Sequence, residues 1–168
     1  MTLSNRFFLL SVAILSCIGC DQATKKAAVF ALKGAEPLSF MGNVFRLEYA
    51  ENTGAFLGLG SGLDDFYRFL LLTVFSGGIL LALGVYVSLS KSLKPTEICG
   101  YSLILAGGAS NMIDRVYQGS VVDFMNMGIG NLRTGIFNVA DIAIMLGLFV
   151  VIYSHVFESE EVVPEVSS

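Results

Sequence analysis

Long uncharged runs dominate this chain, and short polar clusters separate them. A helix that crosses a bilayer needs about 20 largely apolar residues. Phe69 to Ser90 supplies 22 residues without a charge, bounded by Arg68 and Lys91. Ile98 to Ile113 supplies 16 more before Asp114 and Arg115. Thr134 to Phe157 is long enough to span, interrupted only by Asp141 and His155. Phe7 to Leu32 also spans if Asp21, Lys25 and Lys26 sit near an interface. The pattern predicts an all-α membrane protein of four transmembrane helices, with Gly77, Gly78 and Gly84 placed for close helix contact. The connections differ. Lys91 to Glu97, "KSLKPTE", is a short turn, whereas residues 33 to 65 form a longer segment. In that segment "VFRLEY" (44–49) alternates, with Phe45, Leu47 and Tyr49 on one face and Arg46 and Glu48 on the other. Period two predicts a half-buried strand, hence a small β element. Residues 116 to 133 form a glycine-rich connection on the same side.

The first run admits another reading. Arg6 precedes 14 uncharged residues, Phe7 to Cys20, and "CIGC" (17–20) looks like the lipobox at which bacterial lipoproteins are cut. A signal peptide has this form and is removed. Removal would leave three hydrophobic segments, unusual for a lipoprotein and ordinary for a polytopic enzyme or transporter. The stretch therefore reads as a retained first helix, with Cys20 free of lipid.

Composition supports the membrane. The 168 residues are 54% hydrophobic and 14% charged, against about 25% charged in soluble domains. The net charge of −4 comes largely from Glu158, Glu160, Glu161 and Glu165. Residues 1–157 thus read as one membrane domain and 158–168 as an acidic, solvated, disordered tail. No basic stripe exists, so no nucleic-acid partner is expected. Cys17, Cys20 and Cys99 form no paired metal spacing, and His155 is the only histidine. No metal and no cofactor are expected, and hydrolytic chemistry would fall to carboxylates.

Four antiparallel spans bring the polar clusters to one side. Asp21 and Lys25 lie late in the first helix, and "ENTGAF" (51–56) in the next loop. Asn111, Asp114 and Arg115 end the third helix. Asp123 follows in a loop, and Asn138 and Asp141 begin the fourth helix. Ionisable groups at membrane depth are costly and mark sites or pathways. Interface caps and salt bridges are the plainer explanation, strongest for Asp21 and Lys25. Asn138 suits an N-cap, but capping does not account for Asp141, one turn inside. A small proton-coupled transporter would also use buried acids, at mid-membrane and often with repeat symmetry. Here the acids gather at one end and no repeat is evident. A purely structural subunit leaves the acids unexplained. The cations on the acid side are Lys25, Lys26, Lys33, Arg46, Arg68, Arg115 and Arg133; Arg6, Lys91 and Lys94 lie opposite. Counting positive charges alone would place the acid side in the cytoplasm.

"DQATK" (21–25), "NTGAF" (52–56), "GGASNMIDR" (107–115), "VVDF" (121–124) and "FNVAD" (137–141) resemble, in order, the blocks of the lipoprotein signal peptidase (signal peptidase II) family. The resemblance covers about residues 6–157. It implies a bacterial inner-membrane aspartic endopeptidase that cuts prolipoproteins before a diacylglyceryl-modified cysteine. It places the catalytic pair at Asp123 and Asp141. It makes Asp21, Lys25, Asn52, Gly54, Asn111, Asp114, Arg115 and Asn138 substrate-binding or supporting residues. It also implies cytoplasmic termini and a site near the periplasmic face, against the charge count. Two neighbouring carboxylates resist joint ionisation and share a proton, so one serves as base and the other as acid. The three asparagines would donate amide hydrogens, Arg115 would pair with Asp114, and Lys25 with Asp21. The strand would line a peptide groove, and the apolar helix faces would admit lipid chains.

Overall fold

The computed structural model describes residues 3–55 and 59–157; Phe56 and the acidic segment 158–168 lie outside the described residues. Helix α1 is Leu3–Leu32, α2 is Asp65–Leu89, α3 is Pro95–Gln118 and α4 is Val139–Phe157. Strands β1 (Leu38–Phe40) and β2 (Phe45–Asn52) fill the α1–α2 connection, and β3 (Val121–Ile129) and β4 (Leu132–Arg133) the α3–α4 connection. They form one antiparallel sheet in the order β1-β2-β3-β4. Among the described residues, α2 and α4 are long and apolar enough to cross a membrane.

The distribution of polarity is inverted relative to a water-soluble core. Phe8, Leu15, Phe30, Leu81, Leu89 and Phe149 face outward, while Asp21, Lys25, Ser110, Asn111, Asp114 and Asn138 are buried. Along α1 the buried positions Asp21, Lys25, Ala28 and Leu32 recur at helical spacing and form one stripe. Its last turn packs Ala28 and Leu32 against Phe124 of β3.

Several local expectations change. The fourth helix starts at Val139, because Phe137 is taken by a bridge to Met125 and its N–H donates to Met125 O at 2.8 Å. The 116–133 connection holds the nine-residue β3. Its core positions Val121–Phe124 are all buried, so it shows no alternation to read. The alternation in β2 is broken by a bulge between Leu47 and Ala50. The α3 start has Pro95 at its first position, and Glu97 accepts the Lys94 N–H at 2.8 Å.

The close helix contact lies elsewhere than expected. A Cβ on Gly78 would meet nothing within 4 Å, and on Gly77 or Gly84 only side chains at 3.8 Å. Backbones touch between α3 and α4 instead. A Cβ on Gly107 would fall 2.3 Å from Ala140 O, and on Gly147 2.5 Å from Gly100 O. Without hydrophobic drive between helices in lipid, such small-residue seams supply the packing.

Candidate active site

The amino end of α4 is the keystone. Asn138 precedes its first turn, and Asn138 Oδ1 accepts the Asp141 N–H at 2.9 Å while Asp141 Oδ2 accepts the Asn138 N–H at 3.1 Å. This reciprocal pair is a capping box. Asp141 therefore does help cap its helix, contrary to the expectation from sequence. The Ala140 N–H donates to Asp21 Oδ1 at 2.8 Å, tying α1 to the same end. An anionic carboxylate suits the positive end of a helix. Capping leaves Asp141 Oδ1, which accepts from Asn111 Nδ2 at 2.9 Å.

Asp123 comes from the sheet. Asn52 pairs with Val121, and Ala50 with Asp123. The bulge inserts one extra β2 residue and so turns Asn52 to the face of Asp123, its diagonal neighbour. Asn52 Nδ2 donates to Asp123 Oδ2 at 3.0 Å, and Asn138 Nδ2 donates to Asp123 Oδ1 at 2.6 Å. Asp123 is 2% exposed. Burial, aided by the charge of Asp141, pushes its carboxyl up to about 6, against the opposing hydrogen bonds of Asn52 and Asn138. Every oxygen of the two carboxylates thus accepts an N–H.

Behind the pair lies a buried ionic cluster. Lys25 Nζ contacts Asp21 Oδ2 at 2.7 Å, Asp114 Oδ2 at 2.8 Å and Asn111 Oδ1 at 2.8 Å. The expected Lys25–Asp21 pair is present and fully buried, not an interfacial charge reaching water. Arg115 does not pair with Asp114. It turns to the other side, where its Nη2 donates to Gly54 O at 3.1 Å. The Gly54 N–H donates to Asn52 Oδ1 at 3.0 Å, which fixes the Asn52 amide with its NH2 toward Asp123. Two residues of the cluster escaped the sequence reading. Gln22 donates to Asp114 Oδ1 at 2.8 Å and to Ser110 Oγ at 3.1 Å, and Ser110 Oγ donates to Asp21 Oδ2 at 2.7 Å. Their positions carry a signal: Gln22 to Lys25, and Ser110 to Asp114, are helical neighbours of residues already singled out.

The pair opens onto a cavity of about 360 Å³. Asn52, Asn111, Arg115, Asp123 and Asp141 form its polar end, and Ile136, Phe137, Ile142, Met145 and Leu146 its apolar wall. A second cavity, of about 350 Å³, meets Asp141 and Arg115 from between α2 and the α3–α4 pair, with Leu72, Ile79, Leu80, Ile104 and Ile144 on its walls.

This arrangement has relatives. Residues 13–157 match the family described as signal peptidase (SPase) II. A lipoprotein signal peptidase of Chlorobium luteolum is 34% identical over 164 residues, covering 91% of this chain and 95% of that one. One from Geobacillus thermodenitrificans is 32% identical over 154 residues, covering 90% and 89%. One from Nostoc punctiforme is 35% identical over 148 residues, covering 88% of each. Two solved bacterial membrane enzymes share the fold, at TM-scores of 0.79 and 0.73 and identities of 21% and 25%. The first covers 95% of this chain and 94% of its own, and the second 89% and 94%. Agreement on this scale, along nearly the whole length, has one meaning: the chain belongs to the signal peptidase II family.

Proposed function

We propose that this protein is a lipoprotein signal peptidase of the bacterial inner membrane, hydrolysing diacylglyceryl-modified prolipoproteins with Asp123 and Asp141 as the catalytic pair. The observation that carries the reading is that two acids from different elements line one cavity, with donors on all four carboxylate oxygens. The transport reading finds no support among the relatives.

Asp141 sits at a helix amino terminus, which favours its ionised form. Asp123, held up to about 6 on the sheet, is the acid that takes up the shared proton in the productive form. Asp141 takes a proton from water, whose oxygen attacks the scissile carbonyl carbon. Asp123 gives its proton to the carbonyl oxygen, forming a neutral diol. Asp141 then protonates the departing nitrogen, a diol proton returns to Asp123, and the C–N bond breaks. Both carboxylates end as they began. The apolar wall from Ile136 to Leu146 receives the signal segment, and the cavity between α2 and α4 the acyl chains. The acyl chains leave one apolar medium for another, so they gain little by transfer. Their contribution is to hold the scissile bond in place.

The test is cleavage in vitro. A prolipoprotein bearing the diacylglyceryl group is cut just before its cysteine, and the unmodified precursor at least ~100-fold more slowly, the size of a misplacement of about 1 Å. Equal cleavage of both precursors would defeat the proposed selectivity, and no cleavage of either would defeat the activity.

In the membrane, α1, α2, α3 and α4 act as four spans, both termini lie in the cytoplasm and the sheet lies on the periplasmic side. This orientation sets six cations outside the ionic cluster on the periplasmic side, against the positive-inside count. A reporter after Ser168 is expected to read cytoplasmic and one inserted near Gly62 periplasmic; the reverse pattern would overturn this orientation.

A further inference from the structure

We infer that Lys25 is a positioning residue for the proposed base: its ammonium fixes the Asn111 amide with its NH2 toward Asp141. The inference rests on the catalytic assignment above.

An ammonium has three hydrogens and no acceptor. That of Lys25 donates to Asn111 Oδ1 at 2.8 Å and lies in ion-pair contact with Asp21 Oδ2 at 2.7 Å and Asp114 Oδ2 at 2.8 Å. Lys25 is 3% exposed and enclosed by these three partners, so its ammonium does not reach substrate. Its chemistry can reach the cavity only through what it holds. Asp21 is also tied to Ser110 and the α4 amino end, and Asp114 to Gln22, so neither needs Lys25 to keep its place. Asn111 differs. Its Oδ1 receives Lys25 at 2.8 Å and Asn138 Nδ2 at 3.2 Å, and its Nδ2 faces Asp141 Oδ1 at 2.9 Å.

An amide can turn over without changing shape. Turned over, Asn111 would set its NH2 against an ammonium and its oxygen against a carboxylate. Both contacts are repulsive. The donor-only ammonium removes that alternative, because it accepts nothing in either orientation. Asn138 is locked in the same sense, since its Oδ1 holds the Asp141 N–H and its Nδ2 must then face Asp123 and Asn111. Lys25 thus begins a one-way sequence of donors that ends on the acids. Each N–H to a carboxylate favours its ionised form, so the lock keeps Asp141 ready to act as base.

Lys25→Met alone would leave Asp21 and Asp114 as two buried charges without their cation. The test therefore compares Asp114→Asn with Lys25→Met/Asp114→Asn, which has the same net buried charge as the parent. Relative to Asp114→Asn, the double variant is expected to lose at least ~10-fold in kcat, less than the ~10²-fold or more for outright removal of a preorganised donor. KM stays within about threefold, and the acidic limb of the pH–kcat profile moves to higher pH, because a donor to the base is lost. Lys25→Gln/Asp114→Asn, which restores a neutral donor, recovers part of the loss. On an Asn111→Ala background the Lys25 substitution has no further effect on kcat, as expected if it acts through that amide. Equal kcat and an unshifted limb in the Lys25→Met and Lys25→Gln double variants would overturn the inference, as would a full additional loss on the Asn111→Ala background. If the Met variant does not accumulate, the Gln comparison decides alone. Asp141→Asn in the same assay separates the two levels: retained turnover there sinks the catalytic assignment, whereas abolished turnover with an inert Lys25 sinks only this inference.

Discussion

Asp123→Asn and Asp141→Asn are each expected to reduce prolipoprotein cleavage by at least ~10³-fold while the protein still accumulates in the membrane. An amide keeps the size of the carboxyl group but can neither accept the proton of water nor pass one on, and such transfers contribute about 10²–10⁴-fold each. Stability should move differently from activity. A carboxyl held at about 6 instead of 3.8 means that ionising Asp123 in the fold costs about 3 kcal/mol more than in the unfolded chain. Its folded value is raised, so its contribution to stability is greatest below pH 3.8 and is lost as the pH rises through about 6. At pH 7 the charge is a burden, and asparagine removes it. Against this gain, the new NH2 faces a donor whichever way the amide turns, Asn52 Nδ2 or Asn138 Nδ2, at a cost of about 1–3 kcal/mol. The two nearly cancel, and the thermal midpoint of Asp123→Asn at pH 7 should lie close to the parent's. In Asp141→Asn the amide oxygen can still accept the Asn138 N–H, so most of the cap survives. Turnover within tenfold of the parent in either variant, measured on folded protein, would remove that residue from the proposed pair.

The sequence was informative where a helix sets the geometry. Asp21 and Lys25 are four residues apart, and Asn111 and Asp114 three apart, so their shared faces follow from helical spacing. Runs of apolar residues located all four helices to within a few positions. The sheet was less legible. The four buried residues at the start of β3 gave no alternation, although the Gly130–Asn131 pair between Ile129 and Leu132 is the two-residue turn signal of a hairpin. The bulge that brings Asn52 onto the face of Asp123 has no local signature in "RLEYAEN". Partner choice was also hidden. Arg115 follows Asp114 in sequence, but adjacent helical residues point apart, and their hydrogen bonds run to different elements. Glycines were the hardest to place, because close approach depends on the helix opposite and not on the glycine's own neighbours.

That dependence gives the second large effect. Gly107→Ala is expected to lower turnover by ~100-fold or more, although Gly107 is not among the residues lining the cavity. Its new Cβ would lie 2.3 Å from Ala140 O and 2.8 Å from Ile144 Cγ1. The first of these is backbone and cannot rotate away, so α3 and α4 must part by about 1 Å or more to reach ordinary contact. Ala140 stands between Asn138 and Asp141, and its N–H is held by Asp21. Moving it shifts the capping box, and with it the proposed base Asp141, relative to Asp123 on the sheet. A displacement of this size costs about 100-fold in rate, and the overpacking about 1–3 kcal/mol in stability. Gly147→Ala creates a similar clash, 2.5 Å from Gly100 O, but two turns further from the acids. It should lose comparable stability with a smaller effect on kcat. Gly78→Ala is the control on α2. Nothing lies within 4 Å of its Cβ, and alanine favours a helix by about 0.5–1 kcal/mol over glycine, so turnover stays near the parent's and the thermal midpoint does not fall. Turnover and thermal midpoint measured on the three variants in one detergent decide the matter. Parental turnover in folded Gly107→Ala would show that the α3–α4 seam does not position Asp141.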